Sequence, residues 1–324
     1  MRYCFIINPA SGKSHTKEGL ENTITEAFAE AEFFYTKGIG DATNIAEQLC
    51  HESGDEEIHI YACGGDGTIS EVVNGIMQSA YTENVRLGVL PVGTGNDLVR
   101  SFGSKEQFLD LRAQRNASEV SIDLIRANDF YAVNMINIGF DCQVVVNMAS
   151  FKKHVPSRLA YIFGLIYTLV RKPGVRMNAS ADGEEQKREL LLCTFANGSY
   201  CGGGFKSNPN ASVTDGKLNA LFVNNISRTK FIGLVGSYKK GTHLTEKNAK
   251  ILSEGFAKQY KLSFDAPTDI SVDGEIIRVS ELELECVSGA LRMLVPEGCA
   301  VPSAKSSQQR LYNENNSSVR HTGQ

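Results

Sequence analysis

The sequence predicts an α/β N-terminal part with a mostly parallel sheet, followed by a β-rich C-terminal part. In the first third of the chain, apolar runs of strand length alternate with segments of helical periodicity, as in successive βαβ units. From about Ser121 onward, short strand-like runs follow one another, and Asp-Gly turn signals separate several of them. A chain of 324 residues has room for two such domains.

The elements of the N-terminal part can be placed in order. Each predicted strand is an apolar run, and each predicted helix collects apolar side chains on one face. Asp41 is expected to cap the second helix, and Thr68 with Glu71 has the spacing of a capping box at the start of the third. The predicted strands are Tyr3–Asn8, Glu32–Thr36, Glu57–Ala62 and Arg86–Leu90, and the predicted helices are Lys17–Ala31, Asp41–Glu52 and residues 69–80.

The β-rich part is predicted from strand-like runs that helices interrupt near Ser157–Val170 and Arg228–Tyr238. We expect residues 1–125 to form the α/β domain, rejoined by about residues 288–302, and residues 126–287 to form the β-rich domain. The polar tail, residues 303–324, is expected to be disordered. The strand-like runs are VSIDLIRA, FYAVNMINIGFD, RELLLCTFANGS, LNALFVNN, YKLSFD, TDISVDGEIIRV, ELELECV and LRMLVP.

Composition narrows the classes of function. The formal net charge of -4 and the pI near 5.9 argue against general nucleic-acid binding. The eight cysteines form no CxxC pair or Cys/His cluster, so the sequence indicates neither a zinc site nor a disulfide framework. Free cysteines of this kind are typical of a protein in the reducing cytoplasm. The N-terminus turns polar too soon for a signal peptide. The apolar run Leu159–Val170, flanked by basic residues, is too short to span a bilayer and predicts either a buried helix or a helix at a membrane surface.

The stretch CGGDGT, residues 63–68, joins the third predicted strand to the third helix. Its glycines permit positive φ and close approach of a ligand, and the free N–H groups of a helix N-terminus favour phosphate. Asp66, at the centre of the stretch, would repel phosphate unless Mg²⁺ or a transferable proton lies between them. The residues therefore leave open whether Asp66 contacts a metal, accepts a proton or only makes a turn.

Two further loops have the same character. NPASGK, Asn8–Lys13, follows the first strand but is not a Walker A motif, because Ile7 stands where that motif has glycine. PVGTGNDLVRS, Pro91–Ser101, follows the fourth strand and contains Asp97. Because loops after parallel strands emerge at one edge of a sheet, we expect all three to form a single nucleotide site.

In this order and spacing, NPASGK, GGDGTISEVVNGI and PVGTGNDLVRS resemble the catalytic domain of the diacylglycerol kinase family, which includes sphingosine and ceramide kinases. VTDGKL, residues 213–218, and VDGE, residues 272–275, continue the resemblance over roughly residues 1–300. GGDG by itself is shared with NAD kinases and phosphofructokinases, whereas GGDGT together with GTGND is more specific. The resemblance implies an NAD-kinase/phosphofructokinase-like α/β domain that binds the nucleotide, joined to a β-sandwich that takes the lipid substrate, as in the soluble bacterial members.

The resemblance also implies roles for individual residues. Asp66 and the VDGE pair, Asp273 and Glu275, are implied as catalytic. Asp97 and Asp123 match acidic residues linked to Asp66 and to metal through water. A structural Mg²⁺ site is implied at Asp215, completed by the backbone carbonyls of Ser212 and Lys217. The implied ATP-contacting residues are Asn8, Pro9, Ala10, Ser11, Gly12, Lys13, Thr36, Gly65, Gly67, Thr68, Glu71, Gly93, Thr94 and Asn96.

Structural explanations stay open for several of these residues. Asp123 also fits an exposed strand end, and Asp215 fits a plain Asp-Gly hairpin turn. Asp182, in ADGEE, has nearly the same neighbours as Asp273 and is interpreted as a turn residue. The glycine-rich segment YCGGGFKSNPNA, residues 200–211, fits a flexible connection as well as a binding element.

The expected activity is ATP- and Mg²⁺-dependent transfer of a phosphoryl group to a lipid alcohol, with diacylglycerol as the first choice. We expect a cytoplasmic enzyme that contacts the inner face of the membrane peripherally and transiently, binds no nucleic acid and forms a homodimer. NAD phosphorylation and a non-catalytic role in binding nucleotide or lipid are the alternatives. Undecaprenol, a sphingoid base and a glycolipid also offer a hydroxyl beside apolar chains, and the sequence does not choose among them.

Overall fold

The structure is a computed structural model that describes residues 1–12, 17–151, 155, 157–171 and 174–300. Lys13 and the expected tail, residues 303–324, lie outside the described residues. The elements of the N-terminal part are β1 (Arg2–Ile7), α1 (Lys17–Ala27), β2 (Ala31–Tyr35), α2 (Asp41–Ser53), β3 (Ile58–Cys63), α3 (Asp66–Gln78), β4 (Val85–Leu90), α4 (Lys105–Leu109) and α5 (Leu111–Arg115). The four strands pair in parallel in the order β2-β1-β3-β4, which confirms the predicted parallel sheet.

Both faces of this sheet are buried. Along β1, Cys4 and Ile6 belong to the cluster that includes α2 and α3, while Phe5 lies on the other face. There Phe5 stacks on Tyr61 with ring centroids 4.5 Å apart, and Phe28 packs against both rings. Burial on both faces explains why these strands read as continuous apolar runs.

The predicted capping box at the start of α3 is wrong. The helix begins with Gly65 as N-cap, and no side chain bonds to its first N–H groups. The Thr68 hydroxyl instead accepts a hydrogen bond of 3.0 Å from the Asn8 amide in the loop after β1. The Glu71 carboxylate accepts one of 3.1 Å from the Ala42 N–H at the start of α2. Contacts with neighbouring elements therefore take both side chains that the local pattern had paired.

The predicted cap of α2 is also wrong. Its N-cap is Gly40, which is left-handed (φ 82°), and no side chain caps the helix there. The Asp41 carboxylate turns back to accept a 2.7 Å hydrogen bond from the Lys37 N–H, so it closes the preceding loop. A side-chain bond to a preceding backbone N–H competes with capping by the same carboxylate.

The elements of the C-terminal part follow one another as β5 (Ser118–Ala127), β6 (Phe130–Ala132), β7 (Met135–Gly139), α6 (Phe140–Phe151), α7 (Ser157–Arg171), β8 (Val175–Ala181), β9 (Glu184–Ala196), β10 (Leu218–Asn224), α8 (Arg228–Lys240), β11 (Leu252–Ala257), β12 (Gln259–Val272) and β13 (Glu275–Val295). α6 was not predicted. It follows an apolar run directly, and Gly139, at φ 83°, turns the chain from strand to helix.

The strands of this part enclose a second core, which confirms the predicted β-rich, sandwich-like C-terminal part. β12 bends across it: Tyr260–Phe264 pair with β8, and Ile270–Val272 pair with β7. The interior holds a cluster of edge-on aromatic rings, among them Phe195, Phe222 and Tyr260.

β13 connects the two parts within one sheet. Its first half pairs with β12 as a long hairpin, and its last residues pair with β5. Arg292 and Met293 also pair in parallel with Arg86 and Leu87 of β4. The thirteen strands consequently share one hydrogen-bonded sheet. The exact domain limits, at residues 125, 288 and 302, stay predictions.

Candidate active site

The loops after β1, β3 and β4 meet at the carboxyl edge of the parallel strands, where only glycine leaves room. A Cβ on Gly93 would lie 2.4 Å from the Gly65 Cα, and the Gly93 N–H donates to the Gly64 carbonyl at 3.0 Å. A Cβ on Gly12 would lie 2.6 Å from the Val92 carbonyl oxygen. The three glycine loops are therefore in backbone contact with one another.

Asp66 stands at the end of the loop after β3, and backbone donors of the loop after β4 hold its carboxylate. Its two oxygens accept hydrogen bonds of 2.7 Å each from the backbone N–H groups of Asn96 and Asp97. Asn96 adopts φ 55°, which turns both N–H groups inward, and a Cβ on Gly95 would come within 2.5 Å of the carboxylate. The side chain stays partly exposed, so its position is set while its remaining lone pairs face the solvent.

Asp97 lies beside Asp66 but is buried. One oxygen accepts a 2.8 Å hydrogen bond from the Gly203 N–H, and the other lies 3.5 Å from Nε of Arg100. Burial, reinforced by the nearby charge of Asp66, raises the pKa of Asp97 to about 6. A Cβ on Gly95 would lie 3.9 Å from this carboxylate, so the two acids flank one glycine.

Asp273 is buried in a nest of backbone donors. Its carboxylate accepts hydrogen bonds from the N–H groups of Val133 (2.7 Å), Asn134 (3.1 Å) and Met135 (2.7 Å). Burial raises its pKa to about 7 despite these donors, and the charge of Asp66 contributes in the same direction. Asp273 therefore lies within electrostatic reach of Asp66 and ties β6–β7 to the β12–β13 turn.

Glu275 lies two residues further on, at the start of β13. Burial and then the charge of Glu71 raise its pKa. Glu71 belongs to α3, so its charge acts on Glu275 from that helix. Glu71 itself is directed at α2.

Asp123 is buried, which rules out an exposed strand end. One carboxylate oxygen accepts a 2.7 Å hydrogen bond from the Gly216 N–H, and the other accepts one of 2.8 Å from the Gly289 N–H. These two glycines have φ values of 70° and 61°. The side chain thereby joins β5 to the turn before β10 and to β13.

Asp215 is half-buried in that same turn. Its carboxylate accepts a 3.2 Å hydrogen bond from the Lys217 N–H, and the buried Ser212 hydroxyl lies 3.5 Å from that of Thr214. Among the described residues, no group of three or more His, Cys, Asp and Glu side chains is placed to hold a metal ion by itself. The metal roles of Asp97, Asp123 and Asp215 stay predictions.

The residues implied in ATP contact differ in accessibility. Pro9, Ala10, Gly12, Gly67 and Thr94 are exposed. Asn8, Ser11 and Gly65 are partly exposed, and Thr36, Thr68, Gly93 and Asn96 are buried. Thr36 lies next to the first loop, since its N–H donates to the Ile7 carbonyl at 3.0 Å. The exposed members leave a surface of glycine, threonine and backbone groups over the start of α3, as phosphate oxygens require.

Three site residues were not predicted. Arg100 donates to the Gly95 carbonyl at 3.4 Å and lies beside Asp97. Its only signal in the sequence is its place three residues after Asp97 in the PVGTGNDLVRS loop. Lys105 donates to the Gly93 carbonyl at 3.0 Å, and no local pattern indicates it. Gly203 shows that the glycine-rich segment after β9 is bound to the site.

The donor set at Asp66 and Asp97 suits a hard divalent cation. Both side chains offer carboxylate oxygens, and within the described part of the chain Oδ1 of Asp97 accepts no hydrogen bond although it is buried. Mg²⁺ prefers one or two carboxylates together with water and phosphate oxygens. These two residues therefore fit the group that a phosphoryl transfer needs.

Comparison with known proteins agrees with this architecture. A profile of the diacylglycerol kinase catalytic domain matches residues 2–127, and a profile of the YegS C-terminal NAD kinase beta sandwich-like domain matches residues 134–295. A Staphylococcus epidermidis protein named "Putative lipid kinase" is 26% identical over 261 residues, which cover 79% of this chain and 82% of that protein. A Staphylococcus aureus protein of the same name is also 26% identical over 261 residues, covering 79% of this chain and 83% of that one.

Solved structures show the same fold. A crystal structure described as a diacylglycerol kinase from Bacillus anthracis superposes with a TM-score of 0.70 at 21% identity, over 91% of this chain and 97% of that one. A second structure, described as a "putative diacylglycerol kinase" from Bacillus anthracis, gives a TM-score of 0.74 at 24% identity, with the same coverage. By its two matched domains, one of which spans half its length, this chain belongs to the family of diacylglycerol kinase-like proteins with a YegS-type C-terminal domain.

Proposed function

We propose that this protein is a lipid kinase that transfers the γ-phosphoryl group of ATP to a lipid hydroxyl, with diacylglycerol as substrate and phosphatidic acid as product. The observation that carries the proposal is the setting of Asp66. It is a partly exposed carboxylate, held by two backbone N–H groups, where three glycine loops meet. Phosphoryl transfer depends mainly on positioning of the reacting groups and on charge neutralisation. The fixed position of the Asp66 carboxylate supports the positioning part of this requirement.

Asp66 is proposed as the proton acceptor. The lipid hydroxyl oxygen forms a bond to the γ-phosphorus while the bond between this phosphorus and the β–γ bridging oxygen breaks, and ADP leaves. The hydroxyl proton passes to a carboxylate oxygen of Asp66. An alcohol is a weak nucleophile at neutral pH, so a carboxylate in reach of its proton accelerates the step.

Charge neutralisation is proposed for Arg100 and Lys105. Both lie on the loop after β4 or just beyond it, and their donor groups contact carbonyls of that loop. Asp97, whose buried Oδ1 accepts no hydrogen bond within the described part of the chain, would hold Mg²⁺ beside Asp66, and the ion would supply charge neutralisation of the phosphate oxygens. The exposed edge of the loop after β1 and the start of α3 would receive the phosphates.

One observation favours a second candidate, an NAD kinase-type reaction. The C-terminal part is described as similar to the β-sandwich of NAD kinases, and GGDG is shared with them. The loop PVGTGND and the lipid kinase relatives favour the lipid reaction.

The test is a radiolabelled-ATP assay with the full chain, with and without Mg²⁺. The acceptors are diacylglycerol, undecaprenol, a sphingoid base and a glycolipid in mixed micelles, and NAD in solution. We expect label in phosphatidic acid only when Mg²⁺ is present. Label in NADP would favour the second candidate. Absence of transfer to every acceptor, from protein that binds ATP, would favour a non-catalytic role.

A further inference from the structure

Helix α7 displays a stripe of large apolar side chains to solvent. We call it the α7 face. Its members recur every three or four residues, which places them along one side of the helix. They are Leu159, Phe163, Ile166, Tyr167 and Val170, with exposures of 46, 43, 53, 41 and 65%. Contiguous exposed apolar surface of this kind marks an interaction site.

The opposite side of α7 is anchored to the protein. Leu165 and Leu169 pack against the cluster that contains Phe231 and Leu234 of α8. The buried Thr168 hydroxyl accepts a 2.9 Å hydrogen bond from Asn147 of α6 and donates to the Gly164 carbonyl at 2.7 Å. A Cβ on Gly164 would meet the α6 backbone within 3 Å, so the two helices are in close contact. The α7 face is therefore presented by a firmly packed helix.

The surroundings of the α7 face are positively charged although the whole chain carries a net charge of -4. Helices α7 and α8 contain no acidic residue. Arg228 of α8 donates to the carbonyls of Leu169 and Val170 at 3.0 and 2.7 Å, and the Arg171 guanidinium lies 5.4 Å from the Tyr167 ring centroid. Ile232, 56% exposed, lies one helical turn beyond Arg228 and extends the apolar surface.

The charges around the α7 face indicate which kind of partner binds it. The cations of α8 are Arg228, Lys230, Lys239 and Lys240, and the carboxylate of α6, Asp141, accepts a hydrogen bond from the inward Tyr238 hydroxyl. An apolar stripe on a helix without acidic residues, bordered by the cations Arg171 and Arg228, matches a bilayer with anionic headgroups, where the side chains enter the acyl boundary and the cations meet phosphate. No described helix is long and apolar enough to cross a bilayer.

We propose that the α7 face is the membrane-docking surface of this protein, and that it binds anionic bilayers with α7 lying in the plane of the interface. The inference deepens the proposed lipid kinase function and rests on it for its purpose, because a two-chain lipid substrate resides in a bilayer. A backbone contact links α8, which packs against the inner side of α7, to the candidate active site. The Lys206 N–H donates to the Lys239 carbonyl at 3.1 Å, and the glycine segment just before Lys206 binds Asp97.

The test is co-sedimentation of the full chain with vesicles of phosphatidylcholine alone and of phosphatidylcholine with phosphatidylglycerol. The vesicles contain no diacylglycerol and no ATP, so binding is measured without catalysis. We expect the wild type to bind the anionic vesicles. The double variant Phe163→Asp/Ile166→Asp should bind them about tenfold or more weakly, because two apolar side chains that enter the bilayer in the wild type are lost.

The matched control is Phe130→Asp on β6, since Phe130 is 44% exposed and Phe163 is 43% exposed. We expect Phe130→Asp to bind vesicles as the wild type does. Circular dichroism melting checks that each variant is folded, and Ile166→Asp alone serves if the double variant is not. Equal vesicle binding by the α7-face variants and the control would overturn the proposal. Failure of the wild type to co-sediment with anionic vesicles would also overturn it.

Two further measurements separate this proposal from its rivals. Phosphorylation of a short-chain diacylglycerol dispersed below its micellar concentration tests the kinase without a membrane, and the α7-face variants should retain that activity. Its absence in the wild type would contradict the proposed function and leave the vesicle result standing. Sedimentation velocity of wild type and variants tests whether a second copy of this chain covers the α7 face instead. A wild-type dimer that the α7-face variants abolish would assign the face to a second copy and overturn the membrane proposal.

Discussion

Asp182 and Asp273 occupy the same local sequence and the same local backbone. Both precede glycine in an Asp-Gly turn, with φ values of 46° and 48°. The Asp182 carboxylate is exposed and accepts one 3.1 Å hydrogen bond, from the Gln259 N–H. Asp273 is buried and accepts three, so tertiary contacts alone distinguish the two turns.

We predict that Asp273→Asn is destabilising and that Asp182→Asn is not. Asparagine accepts the left-handed backbone at both sites, but at position 273 its amide nitrogen faces buried backbone donors. The expected loss in the free energy of unfolding is about 1–3 kcal/mol at position 273, against less than about 0.5 kcal/mol at position 182. Urea unfolding of both variants measures the difference, and equal losses would show that the nest around Asp273 contributes nothing.

At the scale of elements, the contact between the loops after β3 and β4 limits which glycines can change. A Cβ on Gly93 would lie 2.4 Å from the Gly65 backbone, whereas one on Gly67 meets no atom within 4 Å. Gly67 is exposed in the first turn of α3, where the phosphates are proposed to lie.

We predict opposite behaviour for alanine at these two glycines. Gly93→Ala should lower the melting temperature, because backbone must move and the cost is about 1–3 kcal/mol. Gly67→Ala should keep the wild-type melting temperature yet weaken ATP binding, since its methyl group enters the space above the helix N-terminus. Differential scanning fluorimetry and calorimetric titration with ATP measure the two effects. Wild-type ATP affinity in Gly67→Ala would place the nucleotide elsewhere.

Much of the N-terminal part could be predicted, because doubly buried parallel strands leave continuous apolar runs and helices leave apolar stripes. The strands β1 to β4 and the helices between them lie within a few residues of their predicted limits. The helix caps could not be predicted. Thr68 and Glu71 have a capping-box spacing but bond to Asn8 and Ala42, which are distant in sequence.

The candidate site was predictable only where its residues share a motif. Asp66 and Asp97 stand in glycine loops whose spacing marks them, and the structure brings them together. Lys105 reaches the same site from a segment without a pattern, and Gly203 reaches it from a glycine-rich segment whose sequence fits a flexible connection equally well. α6 was not predicted, because a short apolar run without regularly spaced polar residues fits a strand as well as a helix.

At the scale of the whole molecule, buried carboxylates should make stability depend on pH. Burial raises the pKa of Asp97 and of Asp141 to about 6 and that of Asp273 to about 7. A raised pKa in the folded state means that the folded protein keeps these protons where the unfolded chain has released them. The stabilisation they give is complete below about pH 4, near the unfolded pKa of Asp, and is lost as the pH rises through 6–7.

We predict that Asp141→Asn flattens this dependence. Asp141 lies outside the proposed catalytic residues, and an asparagine oxygen can still accept the 3.0 Å hydrogen bond from the Tyr238 hydroxyl. The variant should match the wild type in free energy of unfolding near pH 4, at or below the unfolded pKa of Asp, and exceed it by about 1–3 kcal/mol at pH 8. Urea unfolding at the two pH values measures this, and an identical difference at both would contradict the assigned pKa of Asp141.

The central claim is that Asp66 accepts the proton during phosphoryl transfer to a lipid hydroxyl. The most direct measurement is the turnover of Asp66→Asn on diacylglycerol in mixed micelles, beside wild type and the turn variant Asp182→Asn, with ATP binding of each protein measured separately. We predict that Asp66→Asn binds ATP within a few-fold of wild type but turns over about 10² to 10⁴ times more slowly, while Asp182→Asn keeps wild-type turnover. Full turnover by Asp66→Asn would contradict the claim.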